Sequence, residues 1–324
     1  MLHRYLGRTG LKVSRLGLGA WLWGTHTDEH DAADQLTAFV DAGGSLVDTA
    51  VGYGNGASES VIGTLLDKVV RREDVVLATK GGLRHREGES IRDFSRGGLL
   101  RDLDVSLQRM NVDHVDLWQV HTWSDEVPLE ETLTALDAAV TSGRARYVGI
   151  SNYSGWQTAY AATHQLSAAG RTRLASTQME YSLLERGIER EVVPAAEALG
   201  LGILCWSPLG GGALTGKYRS GVPADSRGAS PRMGPVVEGR LEGRGTAIVE
   251  AVCRAAEGLD LSPAEVALAW IRDQPAVASA IVGARTVDQL KQTLSVEDVT
   301  LPAEIVDALD DVSAPEFGYP EDED

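Results

Sequence analysis

From residue 15 almost to the C-terminus, short apolar and β-branched runs alternate with longer stretches whose apolar positions recur at three- and four-residue spacing. The short runs at 15–19, 45–48, 75–79, 115–120, 147–150, 175–179, 203–205 and 280–282 predict strands. The longer stretches at 57–67, 98–109, 128–142, 154–168, 188–199 and 246–257 predict helices, and Gly143 stands directly after one of them as a stop signal. Strand followed by helix, repeated, is the pattern of parallel strands joined by crossover helices. Eight such strands with no Pro/Ser linker between them predict a single α/β domain over 1–324, a closed (β/α)8 TIM barrel rather than a doubly wound sheet.

Two segments fall outside the repeat. The first dozen residues predict a hairpin turning at Arg8, Thr9 and Gly10. Residues 208–245, rich in Gly, Pro, Ser and Arg, predict a long loop after strand seven, a lid or binding loop by its length. Residues 315–324 form an acidic, Pro-punctuated stretch expected to trail over the surface.

Composition narrows the function classes. With 43% hydrophobic and 24% charged residues the chain has the make-up of a globular protein, not of a disordered or collagen-like one. A net charge of −17 opposes nucleic acid and anionic membrane surfaces as partners. No apolar run approaches the roughly 18 residues of a membrane span, and no leader-like start is seen, so a cytoplasmic location is expected. Cys205 and Cys253 are expected to be buried, reduced thiols.

In a TIM barrel the chemistry sits at the C-terminal strand ends. There Asp48 ends strand two, Tyr53 follows in the next loop, Lys80 ends strand three and His121 ends strand four. Each alone has an ordinary reading as a cap, an ion pair or a packing residue. Together they make a proton-transfer set, in which Lys80 would lower the pKa of the Tyr53 phenol, Asp48 would pair with Lys80, and His121 would hydrogen-bond a bound carbonyl oxygen. Trp21, Trp23 and Trp123 follow strands one and four and are candidates for a hydrophobic substrate wall.

Other motifs carry less. Gly211, Gly216 and Lys217 match the spacing of an NTPase phosphate loop, but Tyr218 stands where Mg²⁺ needs Ser or Thr, and no helix start follows. His26 and His30 are four apart and suit a solvated helix start; no metal site is expected. Arg84, His85, Arg86, Arg92 and Arg96, within 81–98, form a basic stretch expected to be a solvated loop.

The motifs DTAVGYGNGASE (48–59), ATK (78–80), DLWQVH (116–121), GRARYVGISN (143–152), QMEYSLLER (178–186), SPLGGGALTGKY (207–218) and IVGARTVDQL (281–290) together resemble the aldo-keto reductase superfamily. Trp123 and the EETL run from Glu130 resemble its bacterial and potassium-channel-β-subunit-like branch. The resemblance implies that Asp48, Tyr53, Lys80 and His121 are the catalytic tetrad of an oxidoreductase using NADP(H), with NAD(H) possible. It implies that Ser151, Asn152 and Gln178 hold the nicotinamide carboxamide and that Trp206 stacks on its ring. Ser207, Leu209, Gly211 and Lys217 would cover the pyrophosphate; Gly283, Arg285 and Gln289 would grip the adenosine end, Arg285 favouring a 2′-phosphate. After Gln289 the family commonly continues Leu-x-Glu-Asn, where this chain has Gln292 and Thr293. The resemblance thus implies carbonyl reduction with Tyr53 as general acid. Its alternatives are sugar or alcohol oxidation at the same site, or a regulatory nicotinamide-binding subunit with little turnover. Substrate and oligomeric state are left open.

Overall fold

A computed structural model describes residues 1–86, 89–231 and 233–318. The chain opens with an antiparallel hairpin of β1 (His3–Tyr5) and β2 (Lys12–Ser14), turning where Arg8, Thr9 and Gly10 predict. There follow β3 (Leu16–Gly19), α1 (Glu29–Asp41), β4 (Leu46–Asp48), α2 (Ala57–Leu65) and β5 (Val76–Gly81), then the hairpin β6 (Leu83–Arg86) and β7 (Glu89–Arg92). Next come α3 (Arg96–Met110), β8 (Val115–Val120), α4 (Leu129–Thr141), β9 (Ala145–Ser151), α5 (Gly155–Leu166), β10 (Leu174–Glu180), α6 (Val192–Leu199) and β11 (Gly202–Trp206). The chain ends with α7 (Gly234–Arg240), α8 (Arg244–Leu259), α9 (Pro263–Arg272), β12 (Val277–Val282), α10 (Val287–Leu294) and α11 (Ala303–Ser313).

Among the described residues eight parallel strands close into a barrel in the order β3-β4-β5-β8-β9-β10-β11-β12, with β12 pairing back to β3. This is the (β/α)8 TIM barrel that the alternation predicts. The interior is filled by Leu46, Ala78, Leu117, Ala175 and Leu204, and Leu6 and Val13 of the N-terminal hairpin join that cluster. The barrel is thus a packed core closed at the bottom, with the polar side chains of Gln119 and Ser176 also buried among its strands.

Several expectations need correction. Residues 81–98 are not simply a loop, because β6 and β7 pair in register from Leu83 with Arg92 to Arg86 with Glu89. The segment 208–245 carries its own turns at Gly210–Thr215 and Arg227–Ala229 and the helix α7, so it is a built cover and not an open loop. Helix α1 starts at Glu29, capped by the Asp28 carboxylate, which leaves His26 outside the helix that holds His30. Lys217 follows the 3-10 element Gly210–Thr215 and its cap Gly216, and no helix begins there, consistent with setting the phosphate-loop match aside. Cys205 and Cys253 are both buried free thiols. In the C-terminal stretch residues 315–318 have no regular structure, and the rest of it lies outside the described residues. None of the described helices is long and apolar enough to cross a membrane.

Candidate active site

Strand register does the assembling. β4 pairs Asp48 with Ala78, β5 pairs Lys80 with Gln119 and β9 pairs Ser151 with Gln178, so side chains far apart in sequence point into one barrel mouth. Lys80 is buried, and its Nζ donates to Asp48 Oδ1 at 2.5 Å, to the Thr49 carbonyl at 3.0 Å and to the Tyr53 hydroxyl at 3.4 Å. Asp48 Oδ2 accepts from Gln178 Nε2 at 2.9 Å, so both carboxylate oxygens are engaged. The Tyr53 and His121 rings meet edge to face, 5.8 Å between centroids.

The electrostatics follow from this packing. Burial pulls the Lys80 ammonium down, but Asp48 and Tyr53 together outweigh it, and its pKa is raised; the group stays charged. Burial pushes the Tyr53 phenol up, and the pull of Lys80 offsets only part of that, which corrects the expectation of a lowered phenol pKa. His121 is pushed down to about 3, first by burial and then by the Lys80 charge and His85, so at neutral pH it is an uncharged imidazole. Its Nδ1 is buried with no hydrogen-bond partner.

A cavity of ≈ 730 Å³ opens above these groups and runs on between the barrel mouth and the 208–245 cover. Asp48, Tyr53 and His121 line it, and Lys80 is buried behind them. It is lined as well by Ser151, Asn152, Gln178 and Trp206, by Ser207, Leu209, Gly211 and Lys217 from the cover, and by Gly283, Arg285 and Gln289 after β12. Four of these groups already hold one another. Ser151 Oγ donates to the Gln178 carbonyl at 2.8 Å, Asn152 Nδ2 to the His121 carbonyl at 3.0 Å, and the Trp206 indole to Asn152 Oδ1 at 3.0 Å. Asn152 and Ser207 both adopt left-handed backbone, φ 57° and 53°, where the chain turns out of a strand into the site.

The three tryptophans separate. Trp21 lines the cavity. Trp23 does not overhang the mouth: it is fully buried in the hydrophobic core and donates to Gln35 Oε1 at 3.0 Å. Trp123 packs edge to face on Tyr153 and Trp156 and donates to Asp125, outside the cavity lining. Sequence reasoning passed over Arg227, which lies in the Gly/Pro/Ser/Arg-rich cover; its guanidinium stacks 5.5 Å from the Trp21 ring and lines the cavity. Burial lowers its pKa foremost, and among the described residues it pairs with no carboxylate. An arginine in a segment expected to cover a ligand is the signal that was there to be read.

The family model for the aldo/keto reductase family matches residues 15–314, covering every strand of this barrel and Lys80 with the three groups Asp48, Tyr53 and His121. The chain belongs to the aldo/keto reductase family. It is 38% identical to an uncharacterized oxidoreductase, YrpG, of Bacillus subtilis (strain 168), over 96% of each chain. It is 36% identical to a probable voltage-gated potassium channel subunit beta of Oryza sativa subsp. japonica, again over 96% of each. With the L-glyceraldehyde 3-phosphate reductase of Escherichia coli (strain K12) it shares 33% identity over 91% of this chain and 87% of that one. This aldo/keto reductase is therefore an oxidoreductase by family, and the family uses nicotinamide cofactors.

Proposed function

We propose that this aldo/keto reductase reduces aldehyde or ketone carbonyls to alcohols with NADPH, and that Tyr53 is its general acid. The observation that carries the reading is a Lys80 ammonium clamped to Asp48 and 3.4 Å from the Tyr53 hydroxyl, with Asp48 and Tyr53 both lining a cavity of ≈ 730 Å³.

The residues present suit an anionic dinucleotide. Lys217, Arg227 and Arg285 bring three cations to a cavity in a chain of net charge −17. Among the described residues Arg227 is a largely buried cation without a carboxylate, a costly arrangement that a phosphate would relieve. At Gly212, beside Gly211, a Cβ would come 3.2 Å from the Lys217 Nζ, so a side chain there would crowd that cation. In this reading Ser151, Asn152 and Gln178 hold the carboxamide, and Trp206 lies against the ring. Ser207, Leu209, Gly211, Lys217 and Arg227 hold the pyrophosphate, while Gly283, Arg285 and Gln289 take the adenosine end. Trp21 forms part of the substrate wall.

When bound, the nicotinamide supplies a hydride to the carbonyl carbon. Tyr53 gives its proton to the carbonyl oxygen as negative charge develops there. Lys80 stabilises the phenolate left behind, and Asp48 keeps Lys80 charged and aimed. His121, neutral at physiological pH, offers a hydrogen bond that orients the carbonyl without competing as an acid.

Oxidation of an alcohol or sugar uses the same groups in reverse. A regulatory nicotinamide-binding role is favoured by likeness to the probable voltage-gated potassium channel beta subunits of Oryza sativa subsp. japonica and Arabidopsis thaliana. Aldehydes, ketones and sugars tried with NADPH and NADH, followed at the nicotinamide absorbance, distinguish these. Tyr53→Phe is expected to lower kcat by about 10² to 10⁴-fold while cofactor binding is retained. Near-wild-type kcat in that variant, with chemistry limiting the rate, would remove Tyr53 from the acid role.

A further inference from the structure

The turn that carries Tyr53 is held from behind by groups that the proton transfer does not use. Within Tyr53–Gly56 the residues Gly54, Asn55 and Gly56 have φ of 56°, 56° and 96°, a left-handed run that needs outside support. Arg109 of α3 supplies it. Its Nη1 donates to the Val51 carbonyl at 2.9 Å, two residues before Tyr53, and its guanidinium lies where a Cβ on Gly56 would meet Cζ at 2.2 Å. The same Nη1 donates to Glu59 Oε2 at 3.1 Å. Glu59, on α2, is fully buried, and its other oxygen accepts from the Thr79 hydroxyl at 2.8 Å. Thr79 is the residue before Lys80. An unbroken chain of contacts thus joins the Tyr53 turn, through Arg109 and Glu59, to the Lys80 strand.

An ion pair whose carboxylate is buried, as Glu59 is here against a half-buried Arg109, is a poor way to gain stability, since apolar side chains of similar volume commonly serve as well. Its geometry here has a directional use. We propose that Glu59 and Arg109 are positioning residues for the proton transfer, setting the separation between the Tyr53 hydroxyl and the Lys80 ammonium. The inference rests on the roles given above to Tyr53 and Lys80. Tyr53 is faced by Asp48 from β4, Lys80 from β5 and His121 after β8. Of these only Lys80 stabilises the phenolate, so a wider gap weakens that support and makes the phenol a harder group to ionise.

The test uses the full chain with a nitro-substituted benzaldehyde and NADPH, and the matching benzyl alcohol and NADP for the reverse direction. Thr79→Val cuts the link between Glu59 and the Lys80 strand at nearly constant volume. Arg109→Met removes the hold on Val51, and Arg109→Lys returns one donor. Both Thr79→Val and Arg109→Met are expected to lower kcat roughly ten- to a hundredfold. Both move the rising limb of the oxidative pH profile upward and leave the cofactor Kd unchanged, and Arg109→Lys recovers part of the loss. Thr79→Val removes no charge, so the test stands even where Arg109→Met does not fold. A folded Thr79→Val protein with wild-type kcat and pH profile overturns the proposal. Activity surviving in Tyr53→Phe instead overturns the role of Tyr53, which separates the two failures.

Discussion

On the proposed reading, Arg285 is the residue that distinguishes a 2′-phosphate from a free hydroxyl. Its Nη2 reaches Asp225 Oδ2 of the cover at 3.3 Å, with both side chains well exposed. Exposed ion pairs contribute about 0–1 kcal/mol, whereas a charge-assisted bond to phosphate contributes roughly 1.5–3 kcal/mol. If the 2′-phosphate binds here as proposed, it is expected to displace Asp225. Arg285→Ala is therefore expected to weaken NADPH by about ten- to a hundredfold more than NADH, and Asp225→Ala to tighten NADPH by at most about fivefold. Dissociation constants from quenching of tryptophan fluorescence check both, and equal losses for the two cofactors would mean that Arg285 does not read the phosphate. At this scale the sequence is informative where a residue ends a strand and mute where packing decides. Asp48, Lys80 and His121 could be placed because strand ends converge in a barrel. Trp21 and Trp23 could not be told apart, since a two-residue step decides which of them faces the cavity and which faces Gln35. The phenol pKa was misjudged for a related reason: the Lys80 charge is visible in the sequence, and the desolvation that outweighs it is not.

The elements that were legible are those whose pattern is periodic and whose ends carry Gly or capping residues. All eight barrel strands lie within a few residues of the alternation that predicts them, and β8 spans Val115–Val120 as read. The alternation does not delimit helices α1, α7, α9, α10 and α11, although Ser262 and Glu265 form a capping box at the start of α9. The β6/β7 hairpin was hidden by its charge, because a surface hairpin without an apolar face looks like a loop. Helix contacts are equally silent in the sequence, and glycines show it. Gly63 in α2 sits where a Cβ would come 2.4 Å from the Arg109 carbonyl oxygen of α3, a backbone atom that cannot step aside. Gly258, exposed near the end of α8, has nothing within 4 Å of that position. Alanine gains about 0.5–1 kcal/mol of helix propensity at either site, but overpacking costs typically about 1–3 kcal/mol. Gly63→Ala should thus destabilise the protein while Gly258→Ala stabilises it. Urea midpoints measure both, and stabilisation by Gly63→Ala would show that α2 and α3 separate freely.

At the scale of the whole molecule, the site and the stability of the barrel are linked through His121. The unfolded imidazole takes up a proton at its ordinary pKa near 6.5, while the folded one resists until about 3 because it is buried beside Lys80. Between those values unfolding binds a proton that the native state refuses. Stability from this group is fully present above 6.5 and is lost as pH falls toward 3. At pH 5 only the unfolded value matters, and the loss from this one residue is about 2 kcal/mol relative to neutral pH. Other carboxylates and histidines titrate in the same window, so the total is not diagnostic and a difference between two proteins is needed. His121→Gln keeps a polar side chain with no titration here. Urea unfolding of the cofactor-free protein at pH 7.5 and pH 5 should show the wild type losing about 2 kcal/mol more than the variant. Parallel losses would mean that His121 protonates in the folded state as it does in water. The neutral imidazole would then be wrong for the site as well, and the carbonyl would meet a second acid beside Tyr53.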